Sequence, residues 1–241
     1  MRAETRHQLK EDRFSRATIN AAEATVHWSL EHKSKLAVLG LLIVVVVAAA
    51  VGSWYYITQQ DLKASIELGQ AVRTLDTPIR PAGMPPQPEN PSFASSTERA
   101  TEAHKEFQTI VDKYPHTHAA SFARYFLGLT SESLGNHNGA ERELKEVASG
   151  RNRDLAALAN FALASVYRNA NRSKEAIDLY KKLIDKPTTT VGKVTAQMEL
   201  GSTYEAIGQP LEAKRIYQEV QKENPSSQTA QMASTKLQEL K

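Results

Sequence analysis

Three windows decide the fold: RYFLGLTSESLGNHNGAERELKEV (Arg124–Val147), NFALASVYRNANRSKEAIDLYKKL (Asn160–Leu183) and QMELGSTYEAIGQPLEAKRIYQEV (Gln197–Val220). They align without a gap. Small residues recur at Gly128, Ala164 and Gly201, in steps of 36 and 37 residues. Ala140, Ala176 and Ala213 fill a second small slot, followed by Leu144, Tyr180 and Tyr217. Tyr167 and Tyr204 take a large slot that holds Ser131 in the first window. Two antiparallel helices approach closely only where a small side chain sits at their crossing, and large neighbours then fill the groove beside it. Pro187 and Pro225 stand near the ends of the second and third units, where a residue unable to continue a helix marks a turn. Internal repetition at this period predicts a stacked array of helical hairpins.

The order of these positions resembles the tetratricopeptide repeat. That family carries a large–Leu–Gly–x–x–Tyr pattern on its first helix, Ala–x–x–x–aromatic on its second and a closing proline. Here Arg124, Asn160 and Gln197 replace the family's first large residue, and each unit is slightly long. The resemblance implies an all-α solenoid. A divided fourth unit precedes the three windows. Ala103, Phe107 and Pro115 match a second helix, and Leu62–Leu75, with Leu68, Gly69 and Val72, supplies the first. Between them lies DTPIRPAGMPPQPENPSF, whose six prolines favour extended backbone, as a surface loop or a strap for a partner's groove. After Pro225, Ser226 or Ser227 can cap a last helix to Leu240. Its Ala230, Ala233, Leu237 and Leu240 would cover the final unit's open face.

Upstream, LAVLGLLIVVVVAAAVGSWYYI (Leu36–Ile57) carries no charged side chain. About 22 residues at roughly 1.5 Å each match a hydrocarbon core about 30 Å thick, and a lone span in lipid must be helical. Trp54, Tyr55 and Tyr56 form a ring belt suited to the headgroup level, anchoring the helix in membrane lipid. The run begins far into the chain and exceeds the apolar region of a cleaved signal peptide, so a retained anchor is expected, with cleavage near the small residues Ala48, Ala49 and Ala50 as the alternative. Expected domains are therefore a partly helical tail (1–35), a transmembrane helix (36–57) and a repeat domain (58–241), with a proline-rich insertion (76–96) and a capping helix (228–240). The tail has a loose helical rhythm through Phe14, Ala17, Ala21 and Trp28. Arg16, Lys33 and Lys35, with Arg2, Arg6, Lys10 and Arg13 behind them, outnumber Lys63 and Arg73 across the span. This bias predicts a cytoplasmic N-terminus and a C-terminal domain on the far side. Ala48 and Gly52, and Ala49 and Ser53, would permit close approach of another helix.

Composition excludes several classes of function. Residues 36–241 carry 23 Lys+Arg and 22 Asp+Glu, giving no nucleic-acid footprint. There is no cysteine, which removes thiolate chemistry and Cys-ligated metals. No glycine-rich phosphate loop, HExxH, GxSxG or acidic metal loop occurs. His116 and His118 lack a third ligand nearby and read as a solvated turn, while Glu141, Glu143, Glu146, Lys181 and Lys182 read as solubilising outer-face charges. The expectation is a non-enzyme with no cofactor and no metal.

Function then rests on surfaces. In the repeat family the first helices line a concave groove. By alignment that face holds Phe122, Tyr125, Leu129, Leu158, Phe161, Ser165, Arg168, Met198, Ser202 and Glu205. The Lys and Asn of the family's carboxylate clamp are missing there. The layout of tail, anchor and repeats is similar to the bacterial inner-membrane family that includes the ancillary subunit of the SecYEG translocon. That resemblance implies a non-catalytic adaptor with a periplasmic repeat domain, whose protein partners are translocon subunits and periplasmic folding factors. The alternative is a structural accessory subunit of another membrane complex, energy-transducing or envelope-dividing.

Overall fold

Each repeat turns at one backbone signal. Gly135, Asn171 and Gly208 stand 36 and 37 residues apart, and all three have positive φ (76°, 60° and 72°). The following N–H in each case reaches back to the same carbonyl. Asn136 donates to Ser131 at 2.9 Å, Arg172 to Tyr167 at 2.7 Å and Gln209 to Tyr204 at 2.9 Å. This is the left-handed cap that satisfies the orphan carbonyls at a helix end. Glycine suits it because it carries no Cβ; Asn171 is the side chain that best tolerates the same conformation.

The computed structural model describes residues 32–85, 87, 89, 91–223 and 225–240. The expected tail helix with Phe14 and Trp28 lies outside them, as do Pro86 and Pro88 of the insertion. Among the described residues nine helices follow in order: α1 (Lys33–Asp76), α2 (Ser96–Lys113), α3 (His118–Ser133), α4 (His137–Ala148), α5 (Arg153–Asn169), α6 (Ser173–Asp185), α7 (Lys193–Ala206), α8 (Pro210–Glu223) and α9 (Gln228–Glu239). The described residues hold no strand, and Ile79 and Phe93 form an isolated bridge. The all-α class read from the windows therefore holds. Side-chain caps start most helices after α1. Ser95, Thr117, Asn136, Asn152 and Ser227 each accept a hydrogen bond from the backbone N–H three residues on. Glu98 reciprocates at α2 by accepting from Ala94 N at 2.6 Å, in the manner of a capping box.

The chain divides into two units, Met1–Tyr56 and Ile57–Lys241. In the first, α1 exposes Leu41, Val44, Val47, Trp54, Tyr55 and Tyr56. Among the described residues α1 alone is long and apolar enough to cross a membrane.

In the second unit successive helices from α2 to α9 pack on one another, and α3 also touches α5. The crossings fall at the small residues of the windows. A Cβ on Gly128 would meet Leu144 Cγ at 2.7 Å, and one on Gly201 would meet Tyr217 Cε1 at 2.5 Å. Ala164 and Tyr180 are buried in the same core. That core runs from Ala140 on α4 to Ala233 on α9. A separate cluster joins Ala64 and Ala71 of α1 to Phe107 and Ile110 of α2 and to Ala123 and Leu127 of α3.

Two expectations need correction. Gly69 is not the small residue at the first crossing: it is exposed with open space where a Cβ would stand, and Ala64 and Ala71 take that place. The phase of the buried face is Ala64, Leu68, Ala71, Leu75, one residue off the slot chosen for Gly69. Nor are Glu141 and Glu143 solubilising charges. Glu143 is 5% exposed because it shares the packed face of α4 with Ala140, Leu144 and Val147. It is held by Arg124 at 3.2 Å and Arg142 at 2.8 Å. Glu141 accepts from Arg172 and Lys145, and from Tyr167 Oη at 3.2 Å, tying α4 to the next repeat.

The proline-rich insertion is closed at its neck. Arg80 N donates to Phe93 O at 2.9 Å and Phe93 N to Pro78 O at 3.0 Å. The Arg80 guanidinium reaches Ser92 O at 2.8 Å, and Arg99 of α2 reaches Thr77 O at 3.1 Å.

Candidate protein-binding face

The first helices of the three repeats, α3, α5 and α7, carry all the positions assigned to a groove. Phe122, Tyr125 and Leu129 stand on α3; Leu158, Phe161 and Arg168 on α5; Met198 and Glu205 on α7. None is fully buried. Phe122 is 37% exposed, and the others are half-buried. Tyr125, Leu158, Phe161 and Met198 rest on the main core with one side and leave the other open.

Aromatic packing fixes how these rings stand. Tyr125 meets Phe126 edge-on at 5.4 Å, and Phe126 stacks on Phe107 at 5.1 Å. Phe161 meets Tyr180 edge-on at 5.7 Å, while Tyr180 Oη lies 3.3 Å from Ser165 Oγ. Rings held this way lose little freedom on meeting a ligand, which favours them as anchors. Burial raises the pKa of Tyr125 and of Tyr180, so both phenols stay neutral hydrogen-bonding groups at physiological pH.

The charged positions are tied across repeats. Arg168 Nη1 donates to Glu199 Oε2 at 2.8 Å, joining α5 to α7, and Glu205 faces Lys236 of α9 at 3.7 Å. Glu199 and Lys236 were not among the residues singled out from sequence. Their shared offset of 31 residues from Arg168 and Glu205 is the signal that could have found them. Near the start of α3 and α5 a hollow of about 540 Å³ opens between His116, His118, Phe122 and Arg151. His118 itself is turned to Asp61, 3.4 Å away. Among the described residues no three His, Asp or Glu side chains are grouped to hold a metal. The face offers aromatic area, a few hydrogen-bonding groups and paired charges, which suits contact with a peptide rather than a covalent step.

A profile described as a tetratricopeptide repeat-like domain matches residues 26–241. No curated protein matches the chain. Among solved structures it is similar to the TPR-like repeats of a Podosopora anserina putative kinesin light chain. The TM-score is 0.56 at 15% identity, covering 74% of this chain and 85% of that one. A point variant of the same Podosopora anserina protein gives 0.57 at 15% identity, with 74% and 84% covered. A tetratricopeptide repeat protein of Parabacteroides merdae gives 0.48 at 17%, over 59% of this chain and 54% of that one. These likenesses concern the fold alone. The profile's span takes in all nine helices described above, and by it the chain belongs to the tetratricopeptide repeat-like domain family.

Proposed function

We propose that this chain is a membrane-anchored, non-catalytic adaptor that binds proteins on the face formed by α3, α5 and α7. The observation that carries the reading is the set of half-exposed side chains there: Phe122, Tyr125, Leu129, Leu158, Phe161 and Met198, with Arg168 and Glu205 beyond them. Rigid aromatic anchors flanked by polar groups are what hot spots of protein interfaces consist of. Leu36–Ile57 crosses the bilayer, with Trp54, Tyr55 and Tyr56 at the headgroup level. The N-terminus is cytoplasmic and the repeats are periplasmic, in the inner membrane of a bacterium. The resemblance in layout to the ancillary translocon subunit supports translocon subunits and periplasmic folding factors as partners.

A second reading, a permanent structural subunit of another membrane complex, is favoured by Leu62 and Ile66. They lie one helical turn apart on α1 and are 62% and 61% exposed. The test is solubilisation of native membranes in mild detergent, capture through a C-terminal tag and mass spectrometry. Translocon subunits with folding factors, in salt-sensitive and substoichiometric amounts, support the adaptor. A fixed-ratio set from another complex discards it in favour of the structural subunit. A fluorescent-protein fusion at the C-terminus checks orientation, and a cytoplasmic signal would overturn the periplasmic placement.

A further inference from the structure

Between α5 and α6 the surface opens a hollow of about 360 Å³ that the face described above does not include. Its floor is apolar: Ala157 and Leu183 are buried, and Ala156 and Leu179 are half-buried. Its rim carries four cations, Arg151, Arg153, Lys182 and Lys186, and no acidic residue lines it. Among the described residues Arg151, Lys182 and Lys186 make no ion pair, and Arg153 reaches only a carbonyl, Pro187 O at 3.4 Å.

The acids nearest in sequence are engaged elsewhere or stand outside the hollow. Asp154 Oδ1 accepts from Thr189 Oγ1 at 3.0 Å, and its carbonyl accepts from Thr190 Oγ1 at 2.9 Å. These bonds pin the loop after α6 back onto the start of α5 and withdraw that carboxylate from the rim. Asp178 and Asp185 of α6 are exposed but do not line the hollow. Glu146 lines a neighbouring hollow, together with Arg124 and Arg151. Arg151 also borders the hollow beside Phe122, so three depressions meet at this residue.

We propose that this hollow docks a short acidic segment of a protein partner, one apolar side chain on the Ala157–Leu183 floor and its carboxylates on Arg151, Lys182 and Lys186. Charge complementarity selects the ligand, since four cations around a hollow that no acid lines attract an anion and steer its approach. Shape selects a peptide over a lipid surface: a concave hollow with an apolar base admits a protruding side chain, whereas a bilayer needs a flat or convex patch. Continuity past Arg151 toward His116 and Phe122 gives an extended chain a path across the edge of the repeat. The inference rests on the chain being a protein-binding scaffold and adds a second contact with its own chemistry.

The test uses the full chain in neutral lipid nanodiscs and a fluorescein-labelled octapeptide of Asp and Glu with one central Leu, titrated by anisotropy. Binding should weaken about tenfold in the Lys182→Glu/Lys186→Glu double variant, whose exposed positions leave the fold intact, and less in Arg151→Ala. Replacing the Leu by Ser should also weaken it, and an all-Lys version should not bind. Unchanged affinity in the double variant, or no binding by the wild type, overturns the proposal. So does co-flotation with phosphatidylglycerol vesicles that the double variant loses while the peptide goes unbound, because the occupant is then a membrane. The Tyr125→Ala/Phe161→Ala variant should keep this affinity, so failure on the α3–α5–α7 face and failure here read separately.

Discussion

Gly201 on α7 faces the ring of Tyr217 on α8 so closely that a Cβ would lie 2.5 Å from Cε1. The ring is fully buried and has no room to yield. Gly201→Ala should therefore destabilise the repeat domain by about 1–3 kcal/mol, as overpacking does. Gly69→Ala is the control, in an open stretch of α1 with nothing within 4 Å. It should be neutral or stabilise by roughly 0.5–1 kcal/mol, because alanine is the better helix former. Urea unfolding of both variants checks the pair, and equal shifts would refute the close packing.

Glu141 should make the array sensitive to acid. Hydrogen bonds from Arg172 first, and then from Lys145, hold its carboxyl down to about 2 against an ordinary value of 4.5. A carboxyl depressed by folding contributes stability that is complete above its unfolded pKa and lost as pH falls towards the folded one. The loss should fall between pH 4.5 and about 2. Glu141→Gln should flatten that part of the stability curve, read as the urea midpoint at several pH values. An unchanged slope would count against the network.

Arg124→Leu should cost about 1–3 kcal/mol, because it leaves the buried Glu143 with Arg142 alone. Arg142 is 75% exposed and a poor substitute. Adding Glu143→Gln to that variant should recover part of the loss, since the group left behind is then uncharged. A double variant no more stable than Arg124→Leu would show that the charge is not what costs.

Tyr125→Ala/Phe161→Ala should keep the helical circular dichroism of the chain and weaken partner capture at least about tenfold, the scale of an interface hot spot. Retention of every partner by a folded double variant would remove the α3–α5–α7 face from consideration.

The repeat was readable because its determinants are local and periodic. Gly128, Ala164 and Gly201, with Leu144, Tyr180 and Tyr217 beyond them, recur at one spacing, and close helix crossings need that residue order. The turn signal at Gly135, Asn171 and Gly208 was equally periodic but easier to pass over, since an asparagine replaces the middle glycine. What escaped depends on contacts between helices. Glu143 looks like any helix-surface glutamate until Arg124 is seen across from it. Asp61 is an ordinary acid in sequence, yet its Oδ1 accepts from Ala119 N at 2.9 Å, 58 residues away. For the candidate face, alignment names positions on first helices, but which side of Tyr125 or Phe161 stays open is set by Phe126 and Tyr180. The cationic hollow is assembled from Arg151 and Lys186 in two different connections, and no single stretch announces it.

The apolar core of the repeats is interrupted within α3. One cluster ends at Leu127 and the next begins at Ala140, with Gly128, Thr130 and Ser131 between them, where later repeats place a tyrosine. Gly128 and Tyr125 of α3 still reach the second cluster, but the fully buried apolar contact breaks off there, and a linear array loses cooperativity where such continuity is broken. The array should then melt as two blocks, the one built on Ala64, Phe107 and Leu127 opening while α4 to α9 stay closed. Amide exchange would show it as two tiers of protection with the step in α3, and force on the chain would be absorbed at that seam first.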